Sequence, residues 1–152
     1  MEIKLICVGK IKEKYLTEGI NEYLKRINPF LKVNLIEVKE TNTNDIMKNM
    51  REEGLAILNN IGNDFVITLE IDGNNIDSVA LSNFIYEHYT YQDKVLTFVI
   101  GASDGLSEEV KKRSNYQLSF GKMTFPHQLM RMMLLEQIYR AVMIHNNHKY
   151  HK

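Results

Sequence analysis

This sequence predicts an α/β domain of three layers built on a mostly parallel sheet. Four short apolar runs rich in β-branched residues have the length and continuity of strands buried on both faces: Ile3 to Val8, Val33 to Val38, Phe65 to Ile71 and Val95 to Ile100. These runs alternate with stretches of helical periodicity, the pattern of strand–helix–strand crossovers. The 152 residues suffice for one core and are few for two, so a single domain over residues 1–152 is expected.

The elements follow in order. After the first strand, Lys12 to Ile27 places Tyr15, Leu16, Ile20, Tyr23, Leu24 and Ile27 on one helical face. Asn28-Pro29 ends that helix, because the residue before a proline is driven out of the α region. Asp45 to Asn60 and Ser78 to Tyr91 repeat the pattern, with Asp45 and Ser78 as N-caps. The fourth strand is followed by Gly101-Ala-Ser-Asp-Gly105, a short polar helix from Ser107, and a fifth strand from Tyr116 to Phe120. A loop from Gly121 to His127 leads into a long helix, Gln128 to His145. Its Leu129, Met132, Met133, Leu135, Ile138, Tyr139, Val142 and Met143 cover a face wider than one sheet needs. The excess leaves two readings open, plain core or a seam with a second copy of the chain.

Charge is distributed very unevenly. From Lys111 to Lys152 there are eight Lys and Arg, four of the five His, and one acid, Glu136. The preceding 110 residues hold eleven bases and eighteen acids, so a formal net charge of zero hides an acidic front and a basic tail. The tail interleaves its cations with Tyr116, Phe120, Phe125, Tyr139 and Tyr150, the combination a phosphate-rich partner would meet. A 44% hydrophobic and 25% charged composition is that of an ordinary globular protein, and no apolar run approaches the roughly 20 residues of a membrane helix. The first residues, Met-Glu-Ile-Lys-Leu-Ile-Cys-Val, lack the features of a secretory leader, so a cytoplasmic location is expected. Cys7, the one cysteine, lies in an apolar strand and reads as a buried, inert thiol. No CxxC, HExxH or carboxylate cluster points to a metal, and none is expected.

Three segments follow strand ends: Leu69-Glu-Ile-Asp-Gly73, Ile100-Gly-Ala-Ser-Asp-Gly105 and Phe120-Gly-Lys-Met-Thr-Phe-Pro126. In a parallel sheet they emerge at one edge, where their main-chain groups can converge on a single ligand. Taken singly, Asp72-Gly73 and Asp104-Gly105 are no more than turn signals. Neither GxGxxG nor the Walker pattern is present, which argues against a dinucleotide or a nucleoside triphosphate.

The run Asn115-Tyr-Gln-Leu-Ser-Phe-Gly-Lys-Met-Thr-Phe-Pro-His127, followed by Arg131, Glu136-Gln-Ile-Tyr-Arg-Ala141 and Tyr150-His-Lys152, closely resembles the SPOUT-class 23S rRNA pseudouridine N3-methyltransferases, the large-subunit methyltransferase H family. Ile6-Cys-Val-Gly-Lys10 and Val66-Ile-Thr-Leu-Glu70 agree, so the resemblance spans the whole chain. It implies a deep trefoil knot in the C-terminal half, S-adenosylmethionine bound in a bent pose within it, and a homodimer. It also implies methyl transfer to N3 of pseudouridine 1915 in 23S rRNA, with the ribosome as partner. Position by position, the implied cofactor contacts are Leu69, Gly101, Phe120, Gly121, Lys122, Met123, Thr124 and Phe125. The family commonly carries two glycines after the fourth strand, whereas here Ala102 follows Gly101.

Such a reaction needs a bent donor, a presented base and removal of the N3 proton, and it requires no metal. The implied catalytic residues are His127, Arg131, Tyr150 and His151, with Arg140 a further candidate. Each also has a plain structural reading. His127 can cap a helix, Arg131 can pair with Glu136 or Glu108, and Arg140 with Glu136 is an i, i+4 pair. A methyltransferase of the same class acting on transfer RNA, and an inactive ribosome-binding module, remain as alternatives.

Overall fold

A computed structural model describes all of residues 1–152. Ten elements alternate: β1 (Glu2–Val8), α1 (Lys14–Ile27), β2 (Lys32–Val38), α2 (Ile46–Leu58), β3 (Phe65–Asn74), α3 (Ser78–Tyr91), β4 (Leu96–Ile100), α4 (Glu108–Arg113), β5 (Tyr116–Leu118) and α5 (His127–His145). The five strands form one sheet in the order β2-β1-β4-β3-β5, and every pairing is parallel. The α/β class with a parallel sheet is thus as the sequence predicts.

Strand alternation sorts the core into two sides. Ile3, Leu5 and Cys7 of β1 join Phe98 of β4 and Ile67 of β3 in a cluster capped by Ile20 and Ile27 of α1, Leu81 and Ile85 of α3, and Leu134, Ile138 and Val142 of α5. Ile6, Val8, Val66 and Val99 point the other way, onto Ile57 of α2 and Val110 of α4. Crossovers that step toward β2 therefore carry α1 and α3 over one face, and those that step toward β5 carry α2 and α4 over the other, as crossovers of a single hand must. On the first face α5 fills the gap between α1 and α3. The amino edge of the sheet is tied by Lys4, whose Nζ lies 2.6 Å from Asp64 Oδ2 and 2.9 Å from the Asn60 carbonyl.

Several local expectations are corrected. Asp77, not Ser78, caps α3, accepting from the Ala80 N–H at 2.8 Å, while Ser78 is the first helical residue. Asp45 does cap α2, through the Lys48 N–H. Tyr15 leaves the buried face of α1: that face holds Leu16, Ile20 and Ile27, and Tyr15 is 69% exposed. Asp72-Gly73 is strand rather than turn, because β3 runs on to Asn74 with an irregularity that lets both Leu69 and Asn74 pair with Leu118. Tyr116–Leu118 is shorter than expected, since the chain turns away at Ser119.

Candidate functional site

The carboxyl ends of β3 and β4 and the segment after β5 enclose a cavity of about 630 Å³. Its wall comprises Leu69–Asp72, Ile100–Ser103 with Gly105 and Leu106, Lys111 of α4, and residues Leu118 to Met130 less a few. The three segments named from the sequence do meet at one place, and the parallel sheet is the reason. All their strands end at the same edge.

What folds this edge is a close backbone crossing. Ser119, the first residue beyond β5, is gripped by the end of β3. Its N–H donates to the Asn74 carbonyl at 2.9 Å, its hydroxyl donates to the Ile71 carbonyl at 2.7 Å, and its carbonyl accepts from Asn75 Nδ2 at 3.0 Å. At Gly73 an added Cβ would lie 2.8 Å from the carbonyl carbon of Gln117, so only glycine permits the crossing. Gly101 is needed for a similar reason. The turn after β4 folds back through the Gly105 N–H to Ala102 carbonyl bond at 3.0 Å, and a Cβ at 101 would meet Gly105 and Leu106 at 3.0–3.1 Å.

Of the eight residues expected at the cofactor, Leu69, Gly101, Phe120, Gly121, Met123, Thr124 and Phe125 line the cavity. Lys122 does not; it is exposed on the outer side of that loop. Sequence reasoning assigned no contact to Glu70, Asp72, Lys111 or Met130, which also line the wall. The first two sit within a segment already singled out, whereas Lys111 comes from a helix whose packing no motif announces. Glu70 is held from both sides, Oε2 by the Thr68 hydroxyl at 2.6 Å and Oε1 by Lys111 Nζ at 3.9 Å.

The four residues expected to be catalytic separate into three places. His127 is on the wall, and it is the first residue of α5 rather than its cap, a position taken by Pro126. Arg131 is 1% exposed and faces away from the cavity. It pairs with neither Glu136 nor Glu108: its NH1 meets Glu37 Oε2 at 2.7 Å and its NH2 the Gly9 carbonyl at 3.0 Å, riveting α5 to the ends of β1 and β2. Arg131 Nε is left with no partner. Neighbouring Cys7 is deep enough that burial pushes its thiol up to about 12, so it is inert as expected.

Tyr150 and His151 lie beside Glu136 and Arg140 of α5, and neither lines the cavity. Glu136 gathers them: Oε1 accepts from Tyr150 Oη at 3.0 Å and from Arg140 at 2.6 Å, and Arg140 NH1 is 3.2 Å from His151 Nδ1. The Arg140 guanidinium also stands 4.7 Å from the Tyr150 ring centroid. Burial and the hydrogen bond to Glu136 push the Tyr150 phenol up to about 12. Tyr150 therefore keeps its proton at neutral pH, the lowering effect of the Arg140 charge being smaller than that of burial and Glu136.

A family model described as "Predicted SPOUT methyltransferase" matches residues 1–151. Over its full length the chain is similar to proteins named ribosomal RNA large subunit methyltransferase H, 48% identical to that of Carboxydothermus hydrogenoformans and 50% to that of Clostridium tetani, covering 100% of each chain in both cases. Among solved structures it is similar to a probable methyltransferase from Bordetella pertussis Tohama I, with a TM-score of 0.58 over 93% of both chains at 8% identity. A probable methylase family protein from Haemophilus influenzae Rd KW20 gives a TM-score of 0.54 over 99% of this chain and 70% of that one, at 14% identity. These two likenesses are of fold alone.

Proposed function

The chain belongs to the SPOUT methyltransferase family, and on that premise we propose that it transfers a methyl group from S-adenosylmethionine to N3 of pseudouridine 1915 in 23S rRNA. One observation carries this reading beyond the family. Seven of the eight residues assigned to the cofactor from the sequence surround a single cavity of about 630 Å³, a volume within the range of small-molecule sites.

The wall suits that cofactor. Half of its 20 residues are hydrophobic, which would suit an adenine ring, while Glu70, shared with Lys111, and Asp72 are the carboxylates that could balance the positive charge of a sulfonium donor. When bound, S-adenosylmethionine supplies a methyl group already activated by the positive sulfur. The chain's share is to hold, orient and deprotonate. Leu69, Gly101, Phe120, Gly121, Met123, Thr124 and Phe125 hold the donor, with Phe120 and Phe125 covering apolar surface. His127 is the one imidazole on the wall, and we assign it as the acceptor of the N3 proton.

The grip of residues 71–75 on Ser119 supports a knotted C-terminal half, in which the segment leading to α5 passes through the loop after β3. Because Tyr150 and His151 lie outside their own cavity, we assign them to the cavity of a second copy in a homodimer, where Tyr150 stacks on the target base and His151 orients it. The partly covered Met132 and Met133, beside Tyr23 and Glu136 on a second cavity of about 490 Å³, fit that seam. In this reading the whole chain is one domain acting on ribosomes in the cytoplasm.

Titration calorimetry should show S-adenosylmethionine binding that Gly101→Val weakens by about tenfold or more, since the valine forces the Gly105 turn off the wall. Equal affinity in that variant moves the cofactor elsewhere. Tritium transfer from labelled cofactor to ribosomes and not to transfer RNA separates this reading from a tRNA enzyme and from an inactive binding module.

A further inference from the structure

The structure leaves one basic and aromatic feature unexplained, and it lies in the acidic front of the chain. Lys10, Lys12 and Lys14 are all exposed on the short connection from β1 into α1, and next to them is the exposed ring of Tyr15. Lys14 is only loosely engaged by Glu18, at 3.8 Å.

Helix packing fixes where this feature sits. Gly19 of α1 abuts Met132 of α5, and Tyr23, one turn further along α1, meets Tyr139, about two turns further along α5, with ring centroids 6.3 Å apart. Contacts that advance together along both chains mean that α1 and α5 run parallel. Tyr15 is one turn back from Gly19, toward the amino-terminal end of α1, and with the helices parallel that end points the same way as the first turn of α5. That turn carries His127 on the cavity wall. The Arg131 bond to the Gly9 carbonyl, at 3.0 Å, locks the base of the lysine segment to the same helix.

We propose that Lys10–Tyr15 is an RNA-holding element of this site, in which Tyr15 stacks on an unpaired base beside the target and Lys10 and Lys12 take the flanking phosphates. An exposed aromatic ring among cations is the arrangement that grips single-stranded nucleic acid without reading its sequence. Rigid coupling through Arg131 gives the stack a fixed position relative to His127. This inference rests on the rRNA methyltransferase reading and adds to it a substrate contact outside the basic tail.

The test uses the full chain and ribosomes from cells lacking the enzyme, with binding by co-sedimentation and methyl transfer measured in parallel. Tyr15→Ala should raise KM for ribosomes about fivefold or more while leaving kcat, S-adenosylmethionine affinity and oligomeric state unchanged. Tyr15→Phe should behave as the unaltered protein, and Tyr15→Leu as the alanine variant. Replacing Lys10 and Lys12 with Gln should flatten the slope of log affinity against log salt by about 1.4. Unaltered KM and co-sedimentation in the Tyr15→Ala protein would overturn the proposal, and so would a shift to monomer, which would make the patch an interface between copies. An unaltered chain that transfers no methyl group defeats the enzymatic reading instead, and co-sedimentation still decides whether Tyr15 holds RNA.

Discussion

At the residue scale, two buried charges do different work from what their types suggest. Arg131 is an implied catalytic residue in the sequence, and in the structure its buried guanidinium bridges Glu37 and the Gly9 carbonyl. Arg131→Met leaves the Gly9 carbonyl without its donor, while the freed Glu37 carboxylate stays in contact with water, so chemical denaturation should show a loss of about 1–3 kcal/mol, with activity falling only as the folded fraction falls. Glu53 is the opposite case. Burial, reinforced by the neighbouring Glu40 and Asp104 charges, raises its pKa above the ordinary 4.5, and the Thr41 N–H at 3.0 Å only partly offsets this. The folded state thus holds the Glu53 proton more tightly than the unfolded chain does. Its contribution to stability is largest below about pH 4.5 and declines as pH rises through the folded-state value. Glu53→Gln keeps an acceptor for Thr41 and removes the charge, so melting at neutral pH should rise by a few degrees while melting at acid pH stays the same.

Elements carry the next set of consequences. The crossing of β3 over the exit from β5 depends on Gly73, and Gly73→Ala must push apart two backbones that have no side-chain slack. A destabilisation of roughly 1–3 kcal/mol is expected, with refolding slowed because the crossing is non-local. Deleting residues 149–152 removes the tail held by Glu136. Its contacts are with Glu136 and Arg140 rather than the cavity wall, so melting temperature and S-adenosylmethionine affinity should change little. Methyl transfer to ribosomes should fall by about 100-fold or more if the tail handles the target base. Full activity in the truncated protein would leave His127 to act without it.

For the molecule as a whole, sedimentation should give a species near twice 17.8 kDa, because the proposed function seats the tail in the cavity of a second copy. Much of this architecture is legible in the chain. Apolar runs such as Ile3–Val8 and Phe65–Ile71 are strands because burial on both faces leaves an unmistakable pattern, and the parallel sheet then brings Leu69, Gly101 and Phe120 together. Periodicity misplaced Tyr15, whose exposure follows from how α1 rolls against α5, a property of packing rather than of spacing. It could not anticipate that Arg131 would choose Glu37, 94 positions away, over acids closer in sequence. Nor does any local signal tell that Gly73 lies under a crossing strand. The central claim is the address of the methyl group, and mass spectrometry of the 23S rRNA stem-loop containing pseudouridine 1915, from cells with and without this protein, tests it directly. A 14 Da gain on that pseudouridine, located at N3, should vanish with the gene and return with it; an unchanged mass at that nucleotide in both cell lines would contradict the proposed function.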